Sequence, residues 1–375
     1  MKDKRPDYIL IIVTAVLLIL GVLILASVSA SLSQEKFGNT FYFLNHQLLF
    51  GFLIGVILAF LAFRIRLKTL KKWAPVLLLI NLVLLIIVFL PKIGAEARGA
   101  ARWISLGPVS FQPSEFLKLT FILYLAAWLT SRAPDQRKSG SRQDEKGFSQ
   151  TLIAFLIVII FVSLLLIFQP DISTLGIIVT SAILMYFLAG TPLWHSILII
   201  FGGILSLFAI IKLAPYRINR LLVFLNPEID PTGIGYQIKQ ALIAIGSGGI
   251  FGLGLGLGMF RQKISFLPHS ISDSIFAIFA EETGFIGSFI LVLLFFAFFW
   301  RGLKIGKQST DKFSKFCAFG ITFWITLQAF VNIGSMVGIL PLTGIPLPFI
   351  SYGGSALISE LVGVGVLLNI SKNTN

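Results

Sequence analysis

Long apolar windows without a charged side chain constrain this chain more than any other sequence feature. A transmembrane helix needs about 20 predominantly apolar residues, and residues 8–30 and 172–190 carry no charge at all. Only 12% of the 375 residues are charged and 56% are apolar, whereas about 25% of a soluble globular chain is charged. These proportions exclude a soluble globular protein, and the abundance of Leu, Ile and Phe excludes an intrinsically disordered one.

Ten apolar segments are long enough to cross a membrane, and we assign all of them to a single transmembrane domain that occupies residues 1–375. The predicted fold class is an all-α polytopic membrane protein with about ten transmembrane helices. The predicted spans are residues 8–30, 42–63, 74–91, 114–131, 151–168, 172–190, 193–213, 274–300, 313–340 and 354–371.

The position of the charged residues predicts the orientation of these helices. The formal net charge is +14, and Lys and Arg accumulate in the cytoplasmic loops of membrane proteins. With the N-terminus inside, the inside segments hold about twice as many Lys and Arg residues as the outside segments. We therefore predict an N-in/C-in topology, with extracytoplasmic loops at about 92–113 and 214–273 and a cytoplasmic loop at about 132–150. Topology explains the positive charge, so no nucleic-acid partner is needed.

The cysteine and histidine content argues against a disulfide scaffold and against a metal centre. Cys317 is the only cysteine, so it has no partner for a disulfide within the chain. Zinc and iron–sulfur sites need clusters of Cys and His, and the chain has only three His residues. The sequence shows no metal-ligand set and no evident cofactor.

A few ionisable residues lie inside the predicted spans, where they are costly and usually face a partner or a cavity. Glu115 and Lys118 are three residues apart, which places them on one face of a helix. Two interpretations stay open for this pair: an internal ion pair, or a binding site for a polar head-group on the outer face. Asp171, after Gln169 and Pro170, either caps the next helix or has a functional role.

The predicted loop 214–273 is far longer than an ordinary connection between helices, which favours a functional role. Residues 216–225 alternate basic and apolar side chains at helical spacing and include Arg217 and Arg220, so they predict a helix lying at the membrane interface. The glycine run that follows matches no nucleotide-binding motif. At the end of the loop, Arg261 and Lys263 precede Asp273, an arrangement that suits an anionic lipid head-group beside a base.

Several motifs in a fixed order carry a resemblance to a known family. They occupy residues 99–107 (GAARWISLG), 111–119 (FQPSEFLKL), 169–171 (QPD), 235–237 (GYQ), 244–249 (AIGSGG), 266–268 (FLP), 273–277 (DSIFA), 280–284 (AEETG), 341–344 (PLTG) and 348–355 (PFISYGGS). In these motifs the chain resembles the SEDS family, the FtsW and RodA type of bacterial cell-wall glycosyltransferases, over about residues 8–372. The Gly-Leu-Gly run before Arg-Gln-Lys is more similar to the FtsW branch.

This resemblance implies a peptidoglycan glycosyltransferase of the bacterial cytoplasmic membrane. Such an enzyme polymerises lipid II, an undecaprenyl-pyrophosphate-linked disaccharide peptide, into glycan strands on the outer face by inverting hexosyl transfer. The implied partner is a class B penicillin-binding transpeptidase. The FtsW-like branch further implies a role in cell division at the septum, with small bitopic activators of the division machinery.

The resemblance also implies roles for particular residues. Asp273 matches the essential loop aspartate of the family, and a set of further positions matches its outer cavity: Arg102, Trp103, Gln112, Glu115 and Lys118. Four departures from the family pattern stand out. His269 stands where the family usually has an acid, and Ile271 stands where it usually has a His. Ser110 replaces a common Arg, and Glu360 replaces a small or amide residue.

The implied reaction needs a base, an attacked anomeric carbon and a stabilised pyrophosphate leaving group. Asp273 is the candidate catalytic base. The candidate cations for the pyrophosphate are Lys118, Arg102, Arg217, Arg220, Arg261 and Lys263. A divalent cation such as Mg²⁺, bridging pyrophosphate and carboxylate, is an open alternative. Two rival functions also stay open: a lipid II flippase or transporter, and a non-catalytic scaffold that activates the transpeptidase.

Overall fold

The computed structural model describes residues 5–90, 94–97, 100–106, 109–132, 142–212, 215–230, 233–258, 267 and 270–373. The structure is mainly α-helical. Its elements are α1 (Tyr8–Phe37), α2 (Tyr42–His46), a π-helical segment (Gln47–Leu53), α3 (Ile54–Arg64), α4 (Leu67–Ile87), β1 (Gly94–Ala97), β2 (Ala100–Leu106), β3 (Val109–Phe111), α5 (Pro113–Arg132), α6 (Arg142–Phe168), α7 (Ile172–Leu188), α8 (Leu193–Lys212), α9 (Pro215–Leu225), a 3₁₀ turn (Pro227–Ile229), α10 (Ile234–Ser247), α11 (Ile275–Gln308), α12 (Lys312–Met336) and α13 (Gly354–Ser371).

Each predicted span falls mostly on helix. Within the described residues, six helical stretches are long and apolar enough to cross a membrane: Tyr8–Phe37, Tyr42–Arg64, Leu67–Ile87, Ile275–Gln308, Lys312–Met336 and Gly354–Ser371. Three shorter apolar helices, Leu152–Phe168, Ile172–Leu188 and Leu193–Ser206, lie on three more of the predicted spans. A helical protein with several membrane spans is therefore confirmed, and the count of ten and the N-in/C-in orientation stay predictions.

The all-α prediction is wrong at one loop, because the strands Gly94–Ala97, Ala100–Leu106 and Val109–Phe111 form a small antiparallel sheet with the order β1-β2-β3. Ala95 pairs with Trp103, and Ile104 pairs with Phe111. Aromatic and β-branched residues such as Trp103 and Ile104 favour extended backbone. Apolar windows reveal membrane spans, but they do not reveal a short sheet of this kind.

Two predicted loops are shorter or more helical than expected. The cytoplasmic loop predicted at 132–150 is cut short, because α6 already begins at Arg142. The long loop 214–273 contains α9, a 3₁₀ turn and α10. Helix α9 confirms that residues 216–225 are helical, and their position at the membrane interface stays a prediction.

Helices α12 and α13 form the centre of the bundle. In each, 78% of the most apolar window is buried, compared with 22% to 39% in the four other long spans. Helix α13 packs along α3 and α5, and α12 packs against α5, α7 and α11. Glycines allow the closest approach: a Cβ at Gly365 of α13 would lie 2.3 Å from the carbonyl oxygen of Ala59 in α3, in keeping with the small residues found where membrane helices touch.

At one end of the bundle, a single residue, Asp7, joins three helices. Asp7 caps α1 by accepting a hydrogen bond from Leu10 N at 2.9 Å. Its carboxylate also accepts two hydrogen bonds from the Arg301 guanidinium of α11, and its backbone N–H donates to Ser371 Oγ of α13 at 3.0 Å. The two ends of the described chain are thus held together.

Candidate active site

Asp273 lies in the turn that leads into α11, and it is buried. The side-chain nitrogen of Asn332, on α12, donates to the backbone carbonyl of Asp273 at 2.8 Å and to the carbonyl of Ile345 at 2.7 Å. Asn332 is itself buried. Because one carboxamide bridges two backbone carbonyls, the Asp273 turn is fixed relative to both α12 and the chain that follows it.

The connection between α12 and α13, residues 337–353, lies against the same turn. Ser351 Oγ donates to the carbonyl of Ser272 at 2.6 Å, and the backbone N–H of Tyr352 donates to the carbonyl of Ile271 at 2.8 Å. Gly344 has a φ of +70°, and a Cβ there would lie 3.5 Å from Oδ2 of Asp273. The Asp273 carboxylate therefore faces the glycine turn of this connection.

Arg220, on α9, reaches the same part of the connection. One of its guanidinium nitrogens donates to the carbonyl of Leu342 at 3.3 Å. From α7, Ser173 Oγ donates to the carbonyl of Thr343 at 2.5 Å. The structure thus brings two predicted site residues, Asp273 and Arg220, to neighbouring positions on one short turn.

Lys118 lies deeper in the bundle and is almost completely buried. Its ammonium group donates to Glu115 Oε2 at 2.8 Å and to Gln328 Oε1 at 2.7 Å, and it lies 5.4 Å from the centre of the Trp324 ring. This is the internal ion pair, the first of the two interpretations left open for Glu115 and Lys118. Its contacts come from α5 and α12.

The buried cluster around Lys118 also makes hydrogen bonds to the backbone of the α12–α13 connection. Gln328 Nε2 donates to the carbonyl of Pro346 at 3.0 Å and to Glu360 Oε1 at 3.2 Å. The other oxygen of Glu360 accepts from the backbone N–H of Phe349 at 2.9 Å. Phe349 has a φ of +64°, an unfavourable conformation for a residue with a side chain, so the Glu360 contact stabilises a strained part of the connection.

One face of α12 contributes both to the cluster around Lys118 and to the contacts that hold the Asp273 turn. Trp324, Gln328 and Asn332 are spaced four residues apart, so their side chains lie on the same side of the helix. Sequence reasoning did not select Gln328 or Asn332 as site residues. The signal that would have found them is this row of polar side chains inside an otherwise apolar span.

A second group of predicted residues surrounds the small sheet. Arg102 donates to the backbone carbonyls of Gln169, at 3.1 Å, and Pro170. Asp171 caps α7 by accepting from Thr174 N at 3.3 Å, which confirms its predicted capping role.

Gln112 connects this group to the α13 end of the connection. Its backbone N–H donates to Ser355 Oγ at 3.0 Å, and its side chain donates to Ser114 Oγ at 3.0 Å. Ser114 in turn donates to Asp171 Oδ2 at 2.9 Å. Trp103, on β2, is partly buried. The two groups therefore meet at the start of α13.

The remaining residues named from the sequence are the other candidate cations and two positions of the segment 268–274. Arg261, Lys263 and His269 lie outside the described residues, as does the side chain of Arg217. Ser274, by contrast, is buried and accepts a hydrogen bond from Gln237 Nε2 at 2.9 Å. Within the part of the chain that the structure describes, no group of three or more His, Cys, Asp or Glu side chains is arranged to hold a metal ion.

Comparison with known proteins identifies the family to which this chain belongs. The family model of the FtsW, RodA and SpoVE proteins, described as "Cell cycle protein", matches residues 7–375. The chain belongs to this family. Membership confirms the predicted resemblance, and together with the long apolar helices it makes the protein an integral membrane protein.

Relatives within the family match over nearly the whole chain. Stage V sporulation protein E of Bacillus subtilis is 39% identical, covering 99% of this chain and 98% of that protein. The probable peptidoglycan glycosyltransferase FtsW of Coxiella burnetii is 40% identical, covering 98% and 96%.

Solved structures of the family share the fold. The Thermus thermophilus rod shape determining protein RodA has a TM-score of 0.70 at 26% identity, covering 98% of this chain and 97% of that chain. A chain from a peptidoglycan synthase complex that coordinates polymerization and crosslinking has a TM-score of 0.75 at 26% identity, covering 98% of each chain.

Proposed function

We propose that this protein is a peptidoglycan glycosyltransferase that polymerises lipid II into glycan strands. Family relatives about 40% identical over the full length bear the name probable peptidoglycan glycosyltransferase FtsW, which supports this activity. The structural observation that carries the proposal is the fixed position of Asp273. Its turn is held by Asn332 and Ser351, and Arg220 contacts the same connection.

In the proposed reaction, the Asp273 carboxylate takes the proton from the acceptor sugar hydroxyl. The hydroxyl oxygen attacks the anomeric carbon of the donor with inversion, forming the new glycosidic bond. The bond from that carbon to the lipid pyrophosphate breaks, and the electron pair leaves with the pyrophosphate. Arg220 contacts the carbonyl of Leu342, two residues before the glycine turn that faces Asp273, so it is proposed to stabilise the leaving charge. Arg217, Arg261 and Lys263 are the other proposed cations of the loop 214–273.

The buried residues are assigned a supporting role in this proposal. Lys118 and Glu115 form an ion pair inside the bundle. Gln328 accepts a hydrogen bond from Lys118 and donates one to the carbonyl of Pro346, so it links the ion pair to the α12–α13 connection. The proposal assigns the part of the site beside the small sheet and the start of α13 to Arg102, Trp103 and Gln112. A small shift of the connection would move the groups that face Asp273, and misplacement by about 1 Å can cost about 10²-fold in rate.

The proposal includes the setting of the reaction. The N-in/C-in topology would place Asp273 at the outer face of the bacterial cytoplasmic membrane. A class B penicillin-binding transpeptidase is the proposed partner, which the fold similarity to a chain of a peptidoglycan synthase complex supports. Similarity to FtsW proteins supports action at the division septum, together with bitopic activators of the division machinery.

The decisive experiment is polymerisation of lipid II by the purified protein in nanodiscs, with and without the partner transpeptidase. Asp273→Asn and Asp273→Ala are expected to abolish glycan strands while the protein elutes as a folded species. The matched control is Glu228→Gln, which neutralises an exposed carboxylate in the same loop and should leave the rate unchanged. Full activity of Asp273→Asn would refute the base assignment.

The same variant separates the rival functions. If the wild-type protein moves lipid II across vesicles without polymerising it, and Asp273→Asn does so equally well, the protein is a flippase. If neither form polymerises or moves lipid II but both stimulate the transpeptidase, the protein is a scaffold. Either result would overturn the proposed glycosyltransferase activity.

A further inference from the structure

The segment 248–258, here called the glycine loop, alternates between two kinds of residue. Glycines at 252, 254, 256 and 258 face inward or are partly covered, whereas the residues between them are large, apolar and exposed. The exposed set comprises Phe251, Leu253, Leu255 and Leu257. Phe251 is 81% exposed and Leu257 is 68% exposed, which a loop in water would not favour.

The inward side of the glycine loop is fitted to a break in α11. Gly284 leaves helical geometry, with φ of 69° and ψ of −165°. A Cβ at Gly248 would lie 2.2 Å from the carbonyl oxygen of Ala280, and one at Gly252 would lie 2.2 Å from that of Glu282. Only glycine permits this approach, so the loop is seated on the helix by its backbone.

Backbone polar groups of the loop and of the broken helix satisfy one another. Leu253 N donates to Glu281 O, and Gly254 N donates to Glu282 O, each at 3.0 Å. In the other direction, Phe285 N donates to Gly249 O at 2.9 Å and Ile286 N donates to Ile250 O at 3.1 Å. A further amide, Gly256 N, donates to the Glu282 carboxylate at 2.9 Å. Internal pairing of this kind is what hydrocarbon demands of a polypeptide backbone.

The length of α11 indicates the depth at which this contact would lie in a membrane. The basic residues Arg301, Lys304 and Lys307 mark one membrane boundary on α11. Residues 285–300 then cover about 24 Å at about 1.5 Å per residue, and the hydrocarbon core is about 30 Å thick. Hydrogen bonds from Phe285 and Ile286 to the loop therefore lie just inside the opposite edge of the hydrocarbon.

The outward side of the loop continues the lipid-facing surface of α11. Exposed apolar side chains run along the helix from Phe285 through Phe289 to Phe296. No charged residue occurs anywhere in residues 240–260. We propose that the glycine loop is inserted shallowly into the hydrocarbon edge of the bilayer, with Phe251, Leu253, Leu255 and Leu257 in contact with lipid acyl chains.

The proposal is tested by the accessibility of spin labels on the protein in lipid nanodiscs without any partner. Cys317, which is buried, is replaced by Ala, and single cysteines are placed at Phe251 and Leu255. Leu253 and Leu257 serve as substitutes if either labelled variant fails to fold. The controls are Phe289→Cys, on the exposed apolar face of α11, and Glu228→Cys, in the exposed 3₁₀ turn.

Labels on the glycine loop should resemble the Phe289 label, with high accessibility to dissolved oxygen and several-fold lower accessibility to a water-soluble nickel chelate than the Glu228 label. Nickel accessibility equal to that of Glu228 would overturn the proposal. Low accessibility to both reagents would also overturn it, because the loop would then be covered by protein. Protection that develops only after the transpeptidase is added would assign the surface to a protein partner instead.

Discussion

The side-chain nitrogen of Asn332 lies 2.8 Å from the backbone carbonyl of Asp273 and 2.7 Å from that of Ile345. The proposed base is thus held by a residue of another helix, which contacts the backbone of Asp273 and not its carboxylate. The same carboxamide fixes the glycine turn that faces the carboxylate. We therefore propose that Asn332 is a positioning residue.

Asn332→Leu keeps the approximate shape of the side chain and removes both donated hydrogen bonds. We expect the maximal rate of glycan polymerisation to fall by about tenfold to a hundredfold, with a smaller change in the lipid II concentration at half-maximal rate. Initial rates measured across lipid II concentrations check this. Ser335→Ala is the control, because its hydroxyl bonds only within α12; equal rates for both variants would argue against a positioning role.

Lys118→Met leaves a buried carboxylate at Glu115 without its cation. The loss of one partner from a buried ion pair costs about 3–5 kcal/mol, whereas removal of both charges costs much less. The midpoint of thermal unfolding in detergent should therefore fall more for Lys118→Met than for the double variant Glu115→Gln/Lys118→Met. A double variant as unstable as the sum of its single changes would show that the pair is not coupled.

Gly252→Ala tests how tightly the glycine loop is seated on α11. The residue has a φ of +82°, and a Cβ would overlap the carbonyl of Glu282, so we expect a loss of about 3 kcal/mol or more. Gly249→Ala is a matched control: its φ is +52° but no atom lies within 4 Å of the added Cβ, so only about 1–2 kcal/mol is lost. Thermal unfolding of both variants measures the difference, and equal losses would exclude the steric contribution.

Asp7→Ala should loosen the end of the bundle where α1, α11 and α13 meet. The change removes a helix cap, which contributes about 1 kcal/mol, together with the charge-assisted hydrogen bonds from Arg301. We expect a total loss of about 2–3 kcal/mol of unfolding free energy. Asp7→Asn retains the cap and should lose about half as much; identical unfolding midpoints for the two variants would contradict a contribution from the ion pair.

The sequence predicted the helices and some of the polar contacts, because those depend on local features. Apolar windows revealed the spans, and the three-residue spacing of Glu115 and Lys118 already suggested an ion pair. The contacts that fix Asp273 could not be found this way. Asn332 is 59 residues away in the chain, and its role arises only when α12 packs beside the start of α11. The strained conformation of Phe349 likewise depends on Glu360 of another element.

Because α13 packs along α3, part of the helix bundle can form only late in the synthesis of the chain. Asn369 of α13 donates to the carbonyls of Ala62 and Ile65 at the end of α3, so a helix that is synthesised late packs on one that is synthesised early. Until it arrives, Gln328 has no Glu360 to bind and the connection that faces Asp273 has no anchor on α13. We expect a chain shortened before α13 to insert most of its helices in the membrane and still lack the proposed reaction centre.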